Sequence, residues 1–301
     1  MFDFIKKLIE KKGNVKVNYF EQEQNNWKEE NKNLFYDNYE FFNNNCCPNC
    51  GVVLNSEIKT SKKCSECKEK IVVRTNPLTK EKLLLCEKDL KKYESNDNKR
   101  KEINFCSNLI KNTSFVCNDI GKKLNKLKKE KPDLSVRDYT WNILMNLSNE
   151  LTNDGLKKYN KIVNLPYRDR ALEVFDVVKT FEKSNLAFDR MVSLAEYEHK
   201  DNVLITMLPQ AIHLGISTQY IYALPEFQMN LDEERICQLD CCKILYDYLN
   251  RNNMTIDDFK PIYLEHAKNL IIPTITPDLA WMYVKRGYNI YKTYNEQKNV
   301  N

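Results

Sequence analysis

The sequence predicts a mainly α-helical protein with one small β module near its N-terminus and a helical bundle or short α-solenoid in its C-terminal part. Only 6 of the 301 residues are Gly and 9 are Pro, so tight turns are few and helices are favoured. Helical patterns with capping residues recur from about residue 102 onward. Residues 46–85 differ, because two cysteine pairs and short β-like runs are concentrated there. The apolar fraction of 42% is enough for a buried core, and the length fits roughly two domains.

The domain boundary is predicted in the charged stretch NDNKRK at 96–101, which we interpret as a linker. The N-terminal domain, 1–95, then holds an N-terminal helix and the β module, and 102–301 form an α-helical domain. Residues 2–12 predict an amphipathic helix that packs its apolar face on the domain behind it; contact with a membrane surface is the less favoured interpretation. Further elements predicted before the β module are a strand at 15–19 and a helix at about 23–42.

Four cysteines with paired spacing mark the β module as a metal site. Two residues separate Cys47 from Cys50 and Cys64 from Cys67, and thirteen residues lie between the pairs. Each CxxC turn places two thiolates on one side, so two turns form a tetrahedral S4 cage that suits Zn²⁺. Gly51, directly after the first pair, permits the left-handed turn that such a site needs. We therefore predict one structural zinc ion per chain, with iron in the same cage as the residual alternative.

A β-hairpin follows the cysteines, since the apolar runs 71–73 and 83–85 flank a turn signal at 76–79. With this hairpin, Cys47-Pro48-Asn49-Cys50-Gly51 and Cys64-Ser65-Glu66-Cys67 resemble a zinc ribbon of the rubredoxin-like kind over about residues 45–86. The resemblance implies a metal site without a particular activity, because zinc ribbons serve as nucleic-acid binders, protein-docking modules and structural supports. The whole layout also resembles uncharacterised bacterial or phage proteins that have an N-terminal ribbon and a helical tail.

The other cysteines do not share this spacing. Cys46 and Cys86 lie beside the predicted cage and are interpreted as bystanders. Cys237 and Cys241 are four residues apart on a predicted helix, and with Cys242 they can form a second metal or redox site. The favoured interpretation is that these three are buried core residues, as free cysteines commonly are.

The basic front half of the chain raises the alternative of a nucleic-acid partner. Residues 1–131 carry 28 Lys+Arg and 19 Asp+Glu, a balance of +9, whereas 132–301 carry 19 and 23, a balance of −4. The candidate phosphate contacts lie in the ribbon: Lys62, Lys63, Lys68, Lys70 and Arg74. Against this role, residues 46–92 contain no aromatic side chain for base stacking, and only one arginine for base readout. A solvated lysine surface is therefore the favoured interpretation.

The C-terminal part is predicted from capping residues and apolar periodicity. Ser135 is the expected N-cap of a helix that carries Trp141. Two helices at about 166–183 and 186–199, with a break at Ser184-Asn185, resemble one tetratricopeptide-like unit; a compact bundle without a groove is the equal alternative. The remaining predicted elements are helix plus loop at 203–226, a helix at 231–252, a Thr255-capped helix at 256–269 and a helix opened by Thr276-Pro277.

These patterns favour a non-enzymatic adaptor. No phosphate-binding loop, nucleophile elbow or metalloprotease motif occurs, so we predict no catalytic residue, no bound organic cofactor and no small-molecule substrate. A protein partner for the helical part is the first hypothesis, a nucleic-acid-associated factor the second, and an enzyme with an unrecognised site the third. The sequence shows no signal peptide, and 11 cysteines with metal-type spacing fit a reducing compartment, so we expect a cytoplasmic protein.

Overall fold

A computed structural model describes residues 45–77, 80–113, 119–221, 241–270 and 274–298. The chain divides into two compact units. The first comprises Met1–Ser114 and Asn118–Arg137, and the second comprises Phe115–Cys117 and Asp138–Asn301. Eight helices and one three-stranded antiparallel sheet occur in the described residues, which confirms a mainly α protein with a small β region. The elements predicted at 2–12, 15–19 and 23–42 lie outside the described residues.

In its described residues, the first unit contains the sheet, in the order β1-β2-β3, and two helices. Its elements are β1 (Ser61–Lys63), β2 (Lys70–Thr75), β3 (Lys82–Leu85), α1 (Glu87–Thr113) and α2 (Ile120–Glu130). Strands β2 and β3 are antiparallel, with Val73 opposite Leu84. The hairpin predicted from the runs 71–73 and 83–85 is therefore confirmed.

The sheet has apolar side chains on both faces, and the two faces have different packing partners. Ile71 and Leu84 belong to a small core that also includes the buried Cys47 and Cys64. Side chains alternate between faces along a strand, so the buried Val72 lies on the opposite face. Helix α1 contacts β2 and β3, and it is fastened there by the Tyr93 hydroxyl, which donates to the Thr75 carbonyl at 2.7 Å.

The stretch predicted as a linker, 96–101, lies in the middle of α1. Its charges support the helix instead of ending it. The Asp97 carboxylate accepts from Arg100 at 2.7 Å and from Lys101 at 2.8 Å, at spacings of three and four residues. Pairs at these spacings are neighbours on a helix surface and stabilise it modestly. The compact units instead divide near residues 137 and 138.

The second unit is helical in its described residues. Its elements are α3 (Val136–Ile162), whose first two residues belong to the first unit, α4 (Tyr167–Tyr197), α5 (Asp201–Tyr220), α6 (Cys242–Arg251), α7 (Ile256–Ala267) and α8 (Pro277–Lys298). Helices α5 to α8 share a large apolar core. Among the described residues, no helix combines the length and apolar character needed to cross a membrane.

Several predicted helix ends are confirmed. Helix α3 begins directly after Ser135, and α8 begins at Pro277. At the start of α7, the Thr255 hydroxyl accepts from the Asp258 backbone N–H, and the Asp258 carboxylate accepts from the Thr255 N–H at 2.8 Å. This reciprocal capping box satisfies two backbone donors that the first turn leaves open. The predicted segments 222–226 and 231–240 lie outside the described residues.

The predicted break at Ser184-Asn185 is wrong, because α4 is continuous from Tyr167 to Tyr197. The polar pair marks a helix contact instead. The Ser184 hydroxyl donates to the Ser148 carbonyl of α3 at 2.9 Å and lies 2.6 Å from the Thr152 hydroxyl. A buried serine in a helix interior is acceptable when its hydroxyl has partners. The tetratricopeptide-like helix pair predicted within 165–199 is therefore absent from these described residues.

Close packing of α3 on α4 also depends on Gly155. A Cβ atom at this position would lie 2.8–2.9 Å from the ring of Phe181, which is fully buried. We expect Gly155→Ala to lower the free energy of unfolding by about 1 kcal/mol, because overpacking costs more than the helix propensity that alanine adds. In a Phe181→Leu background the same change should be neutral or stabilising. Urea unfolding of the wild type, the two single variants and the double variant measures the coupling energy between positions 155 and 181. Additive changes in the free energy of unfolding would contradict a contact between them.

Candidate metal centre

The first cysteine pair lies in a tight turn before the sheet. The Cys47 N–H donates to the Val52 carbonyl at 2.8 Å, and the Gly51 N–H donates to the Cys47 carbonyl at 2.9 Å. Gly51 has a φ of 75°, a left-handed conformation that glycine adopts without steric cost. The turn thus folds back on itself and directs the Cys47 and Cys50 side chains to one side.

The second pair lies between β1 and β2, and its turn repeats the first. The Lys68 N–H donates to the Cys64 carbonyl at 3.2 Å, and the Cys64 N–H donates to the Glu69 carbonyl at 2.9 Å. Lys68 takes the position of Gly51 and has a φ of 61°. The same hydrogen-bond pattern therefore forms at both pairs, although the second turn lacks the glycine that signals it in the sequence.

The two turns bring the four thiol sulfurs together. All four Sγ atoms lie within 4.8 Å of one another. Cys47 Sγ lies 3.7 Å from Cys67 Sγ, and Cys50 Sγ lies 3.7 Å from Cys64 Sγ. A tetrahedral zinc site with Zn–S bonds of about 2.3 Å has S–S edges of roughly 3.8 Å. Two of the six Sγ–Sγ distances thus match the edges of such a site, and the four cysteines are close enough together to hold one metal ion.

The sulfurs differ in their surroundings. Cys47 and Cys64 are buried, whereas Cys50 is exposed and Cys67 is half-buried. A hydrogen bond from the Asn49 side chain, with another from the Glu69 backbone, lowers the pKa of the Cys67 thiol to about 6. Burial raises the pKa of the Cys47 thiol to about 12. One thiolate is thus available near neutral pH, while the buried one depends on a cation to lose its proton. The sequence patterns did not mark Asn49 as part of the site.

The remaining described cysteines have other partners. Cys46 and Cys86 are outside the four-cysteine group, and the Cys86 thiol donates to the Asp89 carboxylate at 3.0 Å. The buried Cys241 donates to the buried Asp189 at 2.9 Å. Within the described ranges, the four-cysteine group is the only cluster of at least three metal-ligating side chains. Cys237 lies outside those ranges, so the second site stays a prediction.

Of the five predicted phosphate contacts, three are engaged within the protein. The Arg74 guanidinium pairs with Glu94 of α1 at 3.0 Å. The Lys62 ammonium donates to the Ser56 hydroxyl at 3.0 Å, and the Lys68 ammonium donates to the Ser65 carbonyl. Lys63 and Lys70 lie opposite each other on β1 and β2, and both are exposed. Of the five residues predicted to contact phosphates, Lys63 and Lys70 are therefore the two that stay available for such a contact within the described residues.

The matching turns allow a test with opposite expected signs. Gly51→Ala should weaken the metal-loaded ribbon by about 1–2 kcal/mol, because a side chain is strained at this φ. Lys68→Gly should strengthen it by a few tenths to about 1 kcal/mol, since it relieves the same strain. Competition for zinc with a chromophoric chelator gives both changes on one scale. A loss of affinity in both variants would contradict the equivalence of the two turns.

Comparisons with protein-family models, curated proteins and solved structures found no match to this chain.

Proposed function

We propose that this chain is a non-enzymatic zinc-binding adaptor, in which a structural zinc ion holds a ribbon and the helical unit engages a protein partner. The sulfur geometry carries the metal part of the proposal, because S–S distances of 3.7 Å match a tetrahedral S4 site. With Cys47, Cys50, Cys64 and Cys67 as ligands, the ion has no open position for water or substrate. Its role is therefore to hold the fold, and zinc fits this role better than iron because it has no redox chemistry.

The small size of the ribbon core supports a structural ion. The core comprises Cys47, Leu54, Ile58, Cys64, Ile71 and Leu84. Two of the six buried members on this face are proposed ligands and four are aliphatic, while Val72, Leu83 and Leu85 are buried on the other face of the sheet. A module of this size needs a metal or a disulfide to fold stably. The zinc ion supplies that stabilisation.

The adaptor role draws support from helix α8. Leu279, Met282, Ile290 and Tyr294 are exposed large apolar residues on this helix, with exposed fractions of 41–63%. Their spacing places them along one side of the helix. Aligned apolar side chains at helical spacing suit contact with an amphipathic partner helix. We therefore place the partner contact on this side of α8.

Metal analysis and partner capture test the two halves of the proposal separately. The purified full chain should contain about one equivalent of zinc, as one S4 cage requires. Crosslinking followed by mass spectrometry should recover the same partner repeatedly with the wild-type chain and lose it with Met282→Glu. Phe175→Glu is the matched control, since Phe175 of α4 is exposed to a similar extent. Equal capture of the partner by both variants would show that the partner does not bind this side of α8.

The alternative, a nucleic-acid-associated factor, has weaker support. Arg74, the arginine suited to base readout, is occupied by Glu94. An enzyme with an unrecognised site is the third hypothesis, and a pocket lined by titratable groups with shifted pKa values would be its signature.

A further inference from the structure

Among the described strands, β1 forms one edge of the sheet, because the strand order is β1-β2-β3. The Val73 N–H donates to the Thr60 carbonyl, and the Cys64 N–H donates to the Glu69 carbonyl. Hydrogen bonding alternates from residue to residue in an antiparallel ladder. Residues 60, 62 and 64 therefore direct their backbone groups toward β2, and Ser61 and Lys63 direct theirs to the open edge. Another strand can therefore pair with the outward-facing N–H and C=O groups of Ser61 and Lys63.

The side chains on this edge carry an unbalanced positive charge. Lys63 lies directly opposite Lys70 on the neighbouring strand. The cross-strand pairs on either side, Lys62 with Ile71 and Cys64 with Glu69, are joined by backbone hydrogen bonds. Lys63 and Lys70 thus form the closer, non-hydrogen-bonded kind of pair. Like charges in that position destabilise a sheet. Within the part of the chain that the structure describes, neither ammonium group has an ion-pair partner.

We propose that the open edge of β1 binds an extended acidic segment of a partner protein as a fourth strand. The backbone groups of Ser61 and Lys63 supply the strand pairing. A carboxylate beside Lys63 on the added strand offsets the repulsion between Lys63 and Lys70. The surroundings also favour an acidic partner, because residues 59–70 contain five lysines and two glutamates.

A peptide strand fits this edge better than a nucleic acid. Base stacking needs exposed aromatic rings, and residues 46–92 have none. The arginine in the sheet is paired with Glu94. An extended peptide instead uses the directed backbone donors and acceptors of β1, which phosphates cannot pair with as a ladder.

The inference extends the proposed adaptor role by giving the ribbon a contact of its own, and its test does not depend on α8 or on the captured partner. A fluorescent peptide of about ten residues, with alternating glutamate and valine, is titrated into the zinc-loaded full chain. The comparison probes are the lysine–valine peptide, the acidic peptide methylated on alternate backbone nitrogens, and a single-stranded oligonucleotide. Only the unmethylated acidic peptide is expected to bind well.

Three variants distinguish pairing from general attraction. Lys63→Glu should weaken binding about tenfold, because it reverses the charge beside the added strand. The same variant should raise the unfolding temperature of the ribbon, since glutamate then lies opposite Lys70. Ser61→Pro removes an edge donor without removing a ladder bond and should also weaken binding about tenfold. Lys88→Glu is the control, because Lys88 is an exposed residue of α1. This variant should bind the acidic peptide as tightly as the wild type does.

Each outcome decides the proposal. Loss of binding in Lys63→Glu and Ser61→Pro, with full zinc content in both, supports strand addition at β1. Absence of acidic-peptide binding to the wild type, equal binding of the methylated peptide, or an equal loss in Lys88→Glu overturns it. Tighter binding of the oligonucleotide than of the peptide overturns it in favour of the nucleic-acid alternative.

Discussion

Removal of zinc from the full chain is expected to unfold the ribbon while the helices of the second unit remain folded. Structural zinc sites in small modules contribute about 10–16 kcal/mol of apparent binding free energy. Four buried aliphatic side chains contribute about 6–12 kcal/mol, and the conformational entropy lost on folding opposes that gain. The second unit has its own large core on α5 to α8. Its helices therefore need no contribution from the metal.

Hydrogen exchange followed by mass spectrometry measures this result strand by strand. Chelation should abolish protection in β2 and β3, and helical circular dichroism should fall only slightly. Cys64→Ser should bind little zinc and give the same exchange pattern without a chelator. Cys86→Ser is the matched control, because Cys86 lies outside the four-sulfur group. Full protection of the hairpin in the chelated protein would show that the ion is not structural.

The four-cysteine group was the part of this fold most accessible from the sequence, and the reason is local. A CxxC spacing fixes the turn and the side to which both sulfurs point, so two such pairs predict the cage without knowledge of distant contacts. The hydrogen bond from Asn49 to Cys67 could not be predicted in this way, because it joins the two turns. The left-handed conformation of Lys68 was also hidden, since a lysine gives no signal for it.

Errors in the helical part arose where tertiary contacts outweigh local preference. Ser184-Asn185 is unfavourable inside an isolated helix, since such side chains compete for backbone hydrogen bonds. In the folded protein the Ser184 hydroxyl is satisfied by Ser148 and Thr152 of α3. Single-sequence periodicity does not contain these partners. The linker predicted at 96–101 is a different kind of error, because the partners of Asp97 lie only three and four residues away and support a helix locally.

Acidification from about pH 6.5 to pH 4 is expected to destabilise the helical unit by roughly 3 kcal/mol through one residue, His213. His213 of α5 is 1% exposed, and its Nδ1 lies 2.9 Å from the Tyr263 hydroxyl of α7. Burial lowers the pKa of His213 to about 4 and raises the pKa of Tyr263 well above its usual value. The folded state therefore holds a neutral imidazole against a neutral hydroxyl across this window.

The direction of the effect follows from proton binding. Below about pH 6.5 the unfolded chain binds a proton at this histidine, and the folded chain does not until about pH 4. The stabilisation is thus complete above the unfolded pKa and is lost progressively as the pH falls toward the folded pKa. Its slope approaches about 1.4 kcal/mol per pH unit within the window.

Urea unfolding followed by tryptophan fluorescence measures this loss, because Trp281 packs beside Tyr263 with ring centroids 5.5 Å apart. His213→Gln keeps a hydrogen-bonding side chain that does not titrate, so the difference between wild type and variant isolates the histidine from zinc loss and other acid effects. If stability changed with pH in the same way in the wild type and in His213→Gln, the folded protein would protonate His213 at no cost. That result would contradict the prediction that burial of His213 disfavours its charged form.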